Sequence, residues 1–155
     1  MTITAMHDMT LVMETTTADE TITIPCQNSG AFSASIDWGD GTTSDITAYN
    51  DAGLTHRYAA AGDHTIRISG AFPNICFDDG GDKLKLKKIS QLGTTGLTRL
   101  DRAFSGCTGL TDFDVGAFNI DGVTDMSYMF AVCRYPLMSQ ASALLDIHMI
   151  RPQLP

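Results

Sequence analysis

At 155 residues the chain has room for one ordinary domain or two small ones. Its balance is acidic, with 18 Asp+Glu against 10 Lys+Arg and a formal charge of -8, which argues against phosphate backbones and anionic membranes as partners. Hydrophobic residues make up 43% and charged residues only 18%, with Thr, Gly and Ser filling the gap, so β-structure with many turns is favoured over helical bundles and no apolar run is long enough for a membrane span.

Residues 1–19 read as an N-terminal arm or a first edge strand. Thr10-Leu11-Val12-Met13-Glu14 is the strand-like part. An arm here could reach a neighbouring subunit. The opening residues have no basic start, and His7 and Asp8 interrupt the apolar ones, so no secretory signal is expected; the protein either stays inside a cell or leaves by another route, such as release at lysis. From Glu20 the pattern turns to short alternating strands. Thr21 to Pro25 places Ile22 and Ile24 on one face. Phe32 to Trp38 places Ala34, Ile36 and Trp38 on one face, and Gly39-Asp40-Gly41 breaks the strand. Thr43 to Tyr49 reads as a further strand, Asn50 to Gly53 as a turn, and Thr65 to Gly70 as the last strand, with Ile66 and Ile68 inward. Short strands at regular spacing with turns between them are the signature of a β-sandwich.

Trp38-Gly39-Asp40-Gly41-Thr42 followed by His56-Arg57-Tyr58 and Gly62 resembles the turn and strand motif of polycystic-kidney-disease (PKD) type domains. The resemblance covers about 20–70 and implies an immunoglobulin-like sandwich, placed at residues 20–72, usually a spacer or binding module and seldom an enzyme. It also implies that His56 serves packing and hydrogen bonding.

Ala71 to Asp82 is a junction whose apolar part, Phe72 to Phe77, is expected to pack between two halves. Next comes an internal repeat. Leu97 to Cys107 aligns with Val123 to Cys133 at an offset of 26 residues, and Thr98/Thr124, Phe104/Phe130 and Cys107/Cys133 are identical pairs. A period in the twenties with Leu, Phe and Cys at fixed places indicates a leucine-rich-repeat-like solenoid. Leu110 to Asn119 reads as the strand part of a rung, and Lys85 to Ser90 as an earlier, degenerate one. Val123-Thr-Asp-Met126-Ser-Tyr-Met129-Phe130-Ala-Val-Cys133 resembles the repeat of BspA-like surface proteins, and Leu100 to Leu110 matches that repeat's M-x-x-M-F-x-G-C-x-x-L form, with Leu100 and Ala103 in place of methionines. That resemblance covers about 82–133 and implies a solenoid, placed with the junction at 73–133, here with barely two full rungs. Pro136 to Ile150 reads as a helix, with Leu137, Ala141, Leu144 and Leu145 on one face and Pro152 halting it. Residues 134–155 would then be a helical cap or tail, covering the apolar end of a solenoid or docking on another subunit.

Few residues point to chemistry. Cys26, Cys76, Cys107 and Cys133 lack C-x-x-C spacing, so reduced, mostly buried thiols are expected rather than a zinc site. Asp37, Asp40 and Asp45 could hold calcium, but turn chemistry explains them as well. Asp78, Asp79 and Asp82 read as a solvated loop, and His56 with His64 as structural residues, His64 being expected exposed. Lys83, Lys85 and Lys87 read as one solvated strand face. Ser105 lies outside any nucleophile elbow, and there is neither a paired carboxylate arrangement nor a phosphate loop. The expectation is therefore a non-enzymatic protein with no cofactor and no metal. The residues singled out have structural roles: Trp38, Asp40, Gly41, His56, Tyr58, Gly62, Phe104, Cys107, Met126, Met129, Phe130 and Cys133.

The functional expectation is a phage virion accessory component, for head decoration or tail, that contacts protein subunits as a homo-oligomer or within a shell. The alternative is a cell-surface adhesin-like module that binds a host protein or glycan. A carbohydrate-binding accessory domain would need exposed aromatics, for which Tyr49, Tyr128 and Tyr135 are the candidates.

Overall fold

The computed structural model describes residues 8–113 and 122–133. In chain order its strands are β1 (Met9–Thr15), β2 (Glu20–Thr23), β3 (Ser33–Asp37), β4 (Thr43–Ile46), β5 (Thr55–Tyr58), β6 (Gly62–Ala71), β7 (Leu86–Gln91) and β8 (Asp112–Phe113). The fold is mainly β and sandwich-like. A six-stranded sheet runs β4-β3-β6-β1-β7-β8, and β2 pairs with β5 in a second sheet. Ile22 and Tyr58 from the small sheet and Leu11, Ile36, Ile66 and Ile68 from the large one belong to a single buried cluster with Trp38. Alternating sequence puts these side chains on one face of each strand, as the sandwich pattern requires.

The N-terminal expectation needs correction. β1 is neither an arm nor an edge; it lies antiparallel between β6 and β7. With strands on both sides, Thr10 and Thr15 are buried along with Met9, Leu11 and Met13. Lys85 to Ser90 also differs from its expected place in a repeat. β7 joins the large sheet through β1, and it pairs in parallel with β8. Leu86 and Ile89 are three residues apart, which in a regular strand would put them on opposite faces, yet both are fully buried. Register shifts between Thr10 and Leu11 and between Val12 and Met13 make room for this. One sheet thus crosses the boundaries expected at 19/20 and 72/73. The fourth strand stops at Ile46 and does not reach Tyr49, because Asp51 accepts hydrogen bonds from Thr47 N (3.0 Å) and Gly53 N (2.9 Å) and turns the chain.

The junction is buried, as expected, from Phe72 to Phe77. It also pairs with the first copy of the repeat. Asn74 bridges in parallel to Arg99, and Arg99 to Asp125. Thr98 N donates to Pro73 O (3.0 Å), Phe77 N to Ala103 O (2.8 Å), Leu100 N to Asp125 O (2.8 Å) and Phe104 N to Met129 O (2.8 Å). The rings of Phe77 and Phe104 lie 6.5 Å apart and those of Phe104 and Phe130 5.6 Å apart. Left-handed backbone recurs at the repeat spacing, at Arg102 (φ 56°) and Tyr128 (φ 56°), then at Gly106 (φ 77°) and Val132 (φ 62°). Of the strand expected over Leu110 to Asn119, only Asp112–Phe113 form a strand, β8, among the described residues, and 114–119 lie outside them. The helix expected over Pro136 to Ile150 also lies outside them.

Candidate functional site

The most connected cluster of side chains gathers around Trp38. β3 delivers Trp38 to the core, where it is fully buried, and its indole Nε1 donates to Ser44 Oγ (2.9 Å). The turn after it depends on glycine. At Gly39 (φ +81°) an added Cβ would lie 2.4 Å from Thr65 O, so β6 passes too close for any side chain; Gly41 (φ +90°) has open space around it. Asp37 accepts from Gly39 N (2.9 Å), and Asp40 accepts from Thr42 N (3.1 Å) and Thr42 Oγ1 (2.6 Å). The aspartates thus hold the turn through their own backbone, as Asx turns do.

β5 closes over this turn. His56 stacks on Trp38 (centroids 5.0 Å, interplanar angle 19°), and its Nε2 lies 2.7 Å from Asp40 Oδ2. Tyr58, 1% exposed, donates its hydroxyl to Trp38 O (2.8 Å). Partial burial pushes the Asp40 carboxyl up, but hydrogen bonds from Thr42 Oγ1, His56 and Thr42 N outweigh it and bring the group down to about 2. Burial is also the main cause that raises the Tyr58 phenol, with Asp40 and Asp37 adding to it. Gly62 (φ 144°) opens β6, two residues before His64. His64 is not the exposed strand residue the sequence suggests. It is half-buried and stacks on Tyr58 (3.5 Å, 16°), and its Nε2 lies 2.9 Å from Thr15 Oγ1. Desolvation lowers its pKa against the pull of Asp40 and Asp63. Both histidines therefore contact Tyr58, with His56 edge-on at 4.7 Å. Among the described residues no three metal-ligating side chains converge.

The other polar candidates are engaged elsewhere. Asp45 is exposed on β4 opposite Ser35. Asp78 pairs with Arg102 (3.7 Å) and Asp79 with Lys83. The lysines do not form one solvated strand face, because Lys83–Lys85 is a 3-10 turn. Lys85 reaches Glu20 (3.1 Å), Asp82 (3.2 Å) and Thr21 O, while Asp82 Oδ2 accepts from Thr23 N (2.7 Å). Two side chains thereby occupy the outer backbone groups of β2, which would otherwise be an open edge. Lys87 pairs with Glu14 (3.3 Å).

In the repeat, Phe104, Cys107, Met129 and Phe130 are fully buried and Met126 is 1% exposed. Cys133 is half-buried and its Sγ donates to Phe104 O (3.1 Å). All four cysteines are free thiols. Burial pushes Cys26 up to about 12 and Cys133 up to about 11, and raises Cys107 and Cys76 as well.

Two structural residues escape sequence reasoning. Thr15 fastens β1 to His64. Asn74, 1% exposed, accepts from Gln27 N (2.6 Å) and donates to Ser29 O (2.7 Å). A polar residue inside the apolar run Phe72 to Phe77 is the one available signal for Asn74. The cluster as a whole is a brace. Asp40 bonds to His56 and to the turn, the Tyr58 hydroxyl bonds to Trp38 O, and His64 bonds to Thr15 and stacks on Tyr58, tying β1, β3, β5 and β6 together. No family model matches the chain, and no curated protein or solved structure is significantly similar to it.

Proposed function

We propose that this chain is a non-enzymatic structural and binding module that serves as a virion accessory component, in head decoration or in a tail, through contacts between protein subunits. We read its first part as a PKD-like immunoglobulin sandwich and residues 73–133 as a short leucine-rich-repeat-like solenoid of the BspA-like type, braced by the large sheet. The observation that carries the reading is the Trp38–Asp40–His56–Tyr58 brace. Side chains that could do chemistry are spent on internal hydrogen bonds, which is what a module that transmits mechanical load needs. The parallel bridges at Asn74, Arg99 and Asp125 and the stacked Phe77, Phe104 and Phe130 support the solenoid reading.

A second reading, a cell-surface adhesin-like module, is favoured by an open groove beside the exposed Tyr49. The test is assembly. A virion component co-sediments with particles from an infected lysate and forms a symmetric oligomer in light scattering. A chain that stays monomeric and never enters particles sinks the virion reading.

A further inference from the structure

A groove opens beside the small sheet, at the end where β2 and β5 part. Its volume is about 460 Å³. One wall is Thr23 to Cys26, and the other is Tyr49 to Ala52, with Leu54 and Thr55 completing the lining. We infer that this groove is a binding site for a neutral saccharide, with Tyr49 as the platform for a pyranose ring. The inference deepens the adhesin-like reading above.

Four observations carry it. Tyr49 is 38% exposed, one of few large apolar side chains that reach the surface among the described residues. An amphipathic aromatic offers a sugar ring a flat apolar surface at small entropic cost, since only two side-chain angles must be fixed. The loop bearing it is closed by its own hydrogen bonds. Asp51 Oδ2 accepts from Thr47 N (3.0 Å) and Thr47 Oγ1 (3.2 Å), its Oδ1 accepts from Gly53 N (2.9 Å), and Leu54 N returns to Asp51 O (3.1 Å). Ile24 N donates to Leu54 O (2.9 Å), so the two walls are fastened together and little ordering remains to be done on binding. The rim supplies hydrogen-bonding groups suited to sugar hydroxyls. Thr23 and Thr55, both lining the groove, have hydroxyls 2.8 Å apart that each keep hydrogen-bonding capacity beyond this contact, and Asn50 is an exposed amide. Finally, the charge selects. The only carboxylate lining the groove is Asp51, its pKa lowered by hydrogen bonds from Gly53 N and Thr47 N, and the chain is acidic overall, so anionic sugars are repelled. The groove is shallow and open, which suits one or two sugar rings held weakly rather than a deeply enclosed small molecule.

The test is saturation-transfer NMR of the full chain against neutral oligosaccharides built from glucose, galactose, mannose and N-acetylglucosamine, with sialylated and sulfated glycans as the charged arm. At least one neutral sugar should show transfer, with affinity at about the millimolar level. Tyr49→Ala should weaken it at least about tenfold, Tyr49→Phe should retain most of it, and both variants should melt with the parent. No transfer from any neutral sugar, binding confined to anionic glycans, or unchanged binding in Tyr49→Ala would overturn the inference. Particle co-sedimentation reads a different property, so the virion reading can fail while this one stands, and the reverse.

Discussion

The turn after β3 contains two left-handed glycines with opposite surroundings, and this makes a sharp test of what holds the brace together. Gly39→Ala and Gly41→Ala both place a Cβ at positive φ, +81° and +90°. That alone costs about 1–2 kcal/mol. At Gly41 the new methyl meets nothing within 4 Å, so the cost ends there. At Gly39 it would stand 2.4 Å from Thr65 O. Thr65 is paired with Val12 in the centre of the large sheet, so its carbonyl has no room to retreat. Either β6 shifts and loses ladder hydrogen bonds, or the turn lifts and pulls Trp38 and the Tyr58 hydroxyl bond out of register. Either route adds roughly 2–3 kcal/mol. The expected losses are about 1–2 kcal/mol for Gly41→Ala and about 3–5 kcal/mol for Gly39→Ala, against a typical domain stability of about 5–15 kcal/mol. Urea unfolding followed by Trp38 fluorescence measures both, since this is the single tryptophan of the chain. In a heat scan the difference corresponds to a further fall of about 4–12 °C for Gly39→Ala. Equal destabilisation by the two substitutions would refute the reasoning, because it would mean that the approach of β6 to the turn contributes nothing.

Other contacts give three more expected outcomes. Phe104→Ala opens a cavity between Phe77 and Phe130 and should cost about 3–5 kcal/mol in chemical denaturation; a loss under about 1 kcal/mol would show that the rings do not stack in solution. Asp82→Ala removes the acceptor of Thr23 N and a partner of Lys85, so stability should fall by about 1–2 kcal/mol and the uncovered β2 edge should raise aggregation in light scattering, an effect that Asp78→Ala should not share. Acid should lower stability in two stages. His64 is depressed below its ordinary 6.5, so the unfolded state takes up that proton first and stability declines as pH falls below about 6.5. Asp40 and Glu20 are held at about 2, below their ordinary 3.8 and 4.5, so their stabilisation is full above about 4.5 and is lost as pH falls toward 2. Urea midpoints at about pH 7, 5 and 3 read both stages; Asp40→Asn should flatten the lower stage, and an unchanged slope there would count against the Asp40 bonds.

Much of the brace is legible because its residues announce their backbone needs. Glycines beside Asp40 indicate a sharp turn, and the alternation around Trp38 and Ile66 indicates the buried face. The roles of His56 and Tyr58 come from resemblance to a motif, and their positions against Trp38 agree with packing and hydrogen bonding. His64 is misplaced because a histidine in an alternating strand carries no mark of which neighbour will cover it. The repeat is visible at Leu97 and Val123, where identical Thr, Phe and Cys recur. The pairing of Pro73 to Phe77 with the next copy is not, since there the cysteine, Cys76, precedes Phe77, where the repeat has a cysteine three residues after its phenylalanine.

The sequence by itself determined the apolar faces around Ile22, Ile36 and Ile66 and the turn after Trp38, because side-chain alternation and left-handed glycine are local properties of the backbone. Only the tertiary structure decided that β1 lies in the middle of a sheet, that β7 joins it from beyond the expected boundary, and that Asp82 and Lys85 cover the edge of β2. Strand order and edge protection are set by which hydrogen-bonding groups remain unpaired after folding. Those partners come together from far apart along the chain, as Thr10 and Gln91 do across 81 residues.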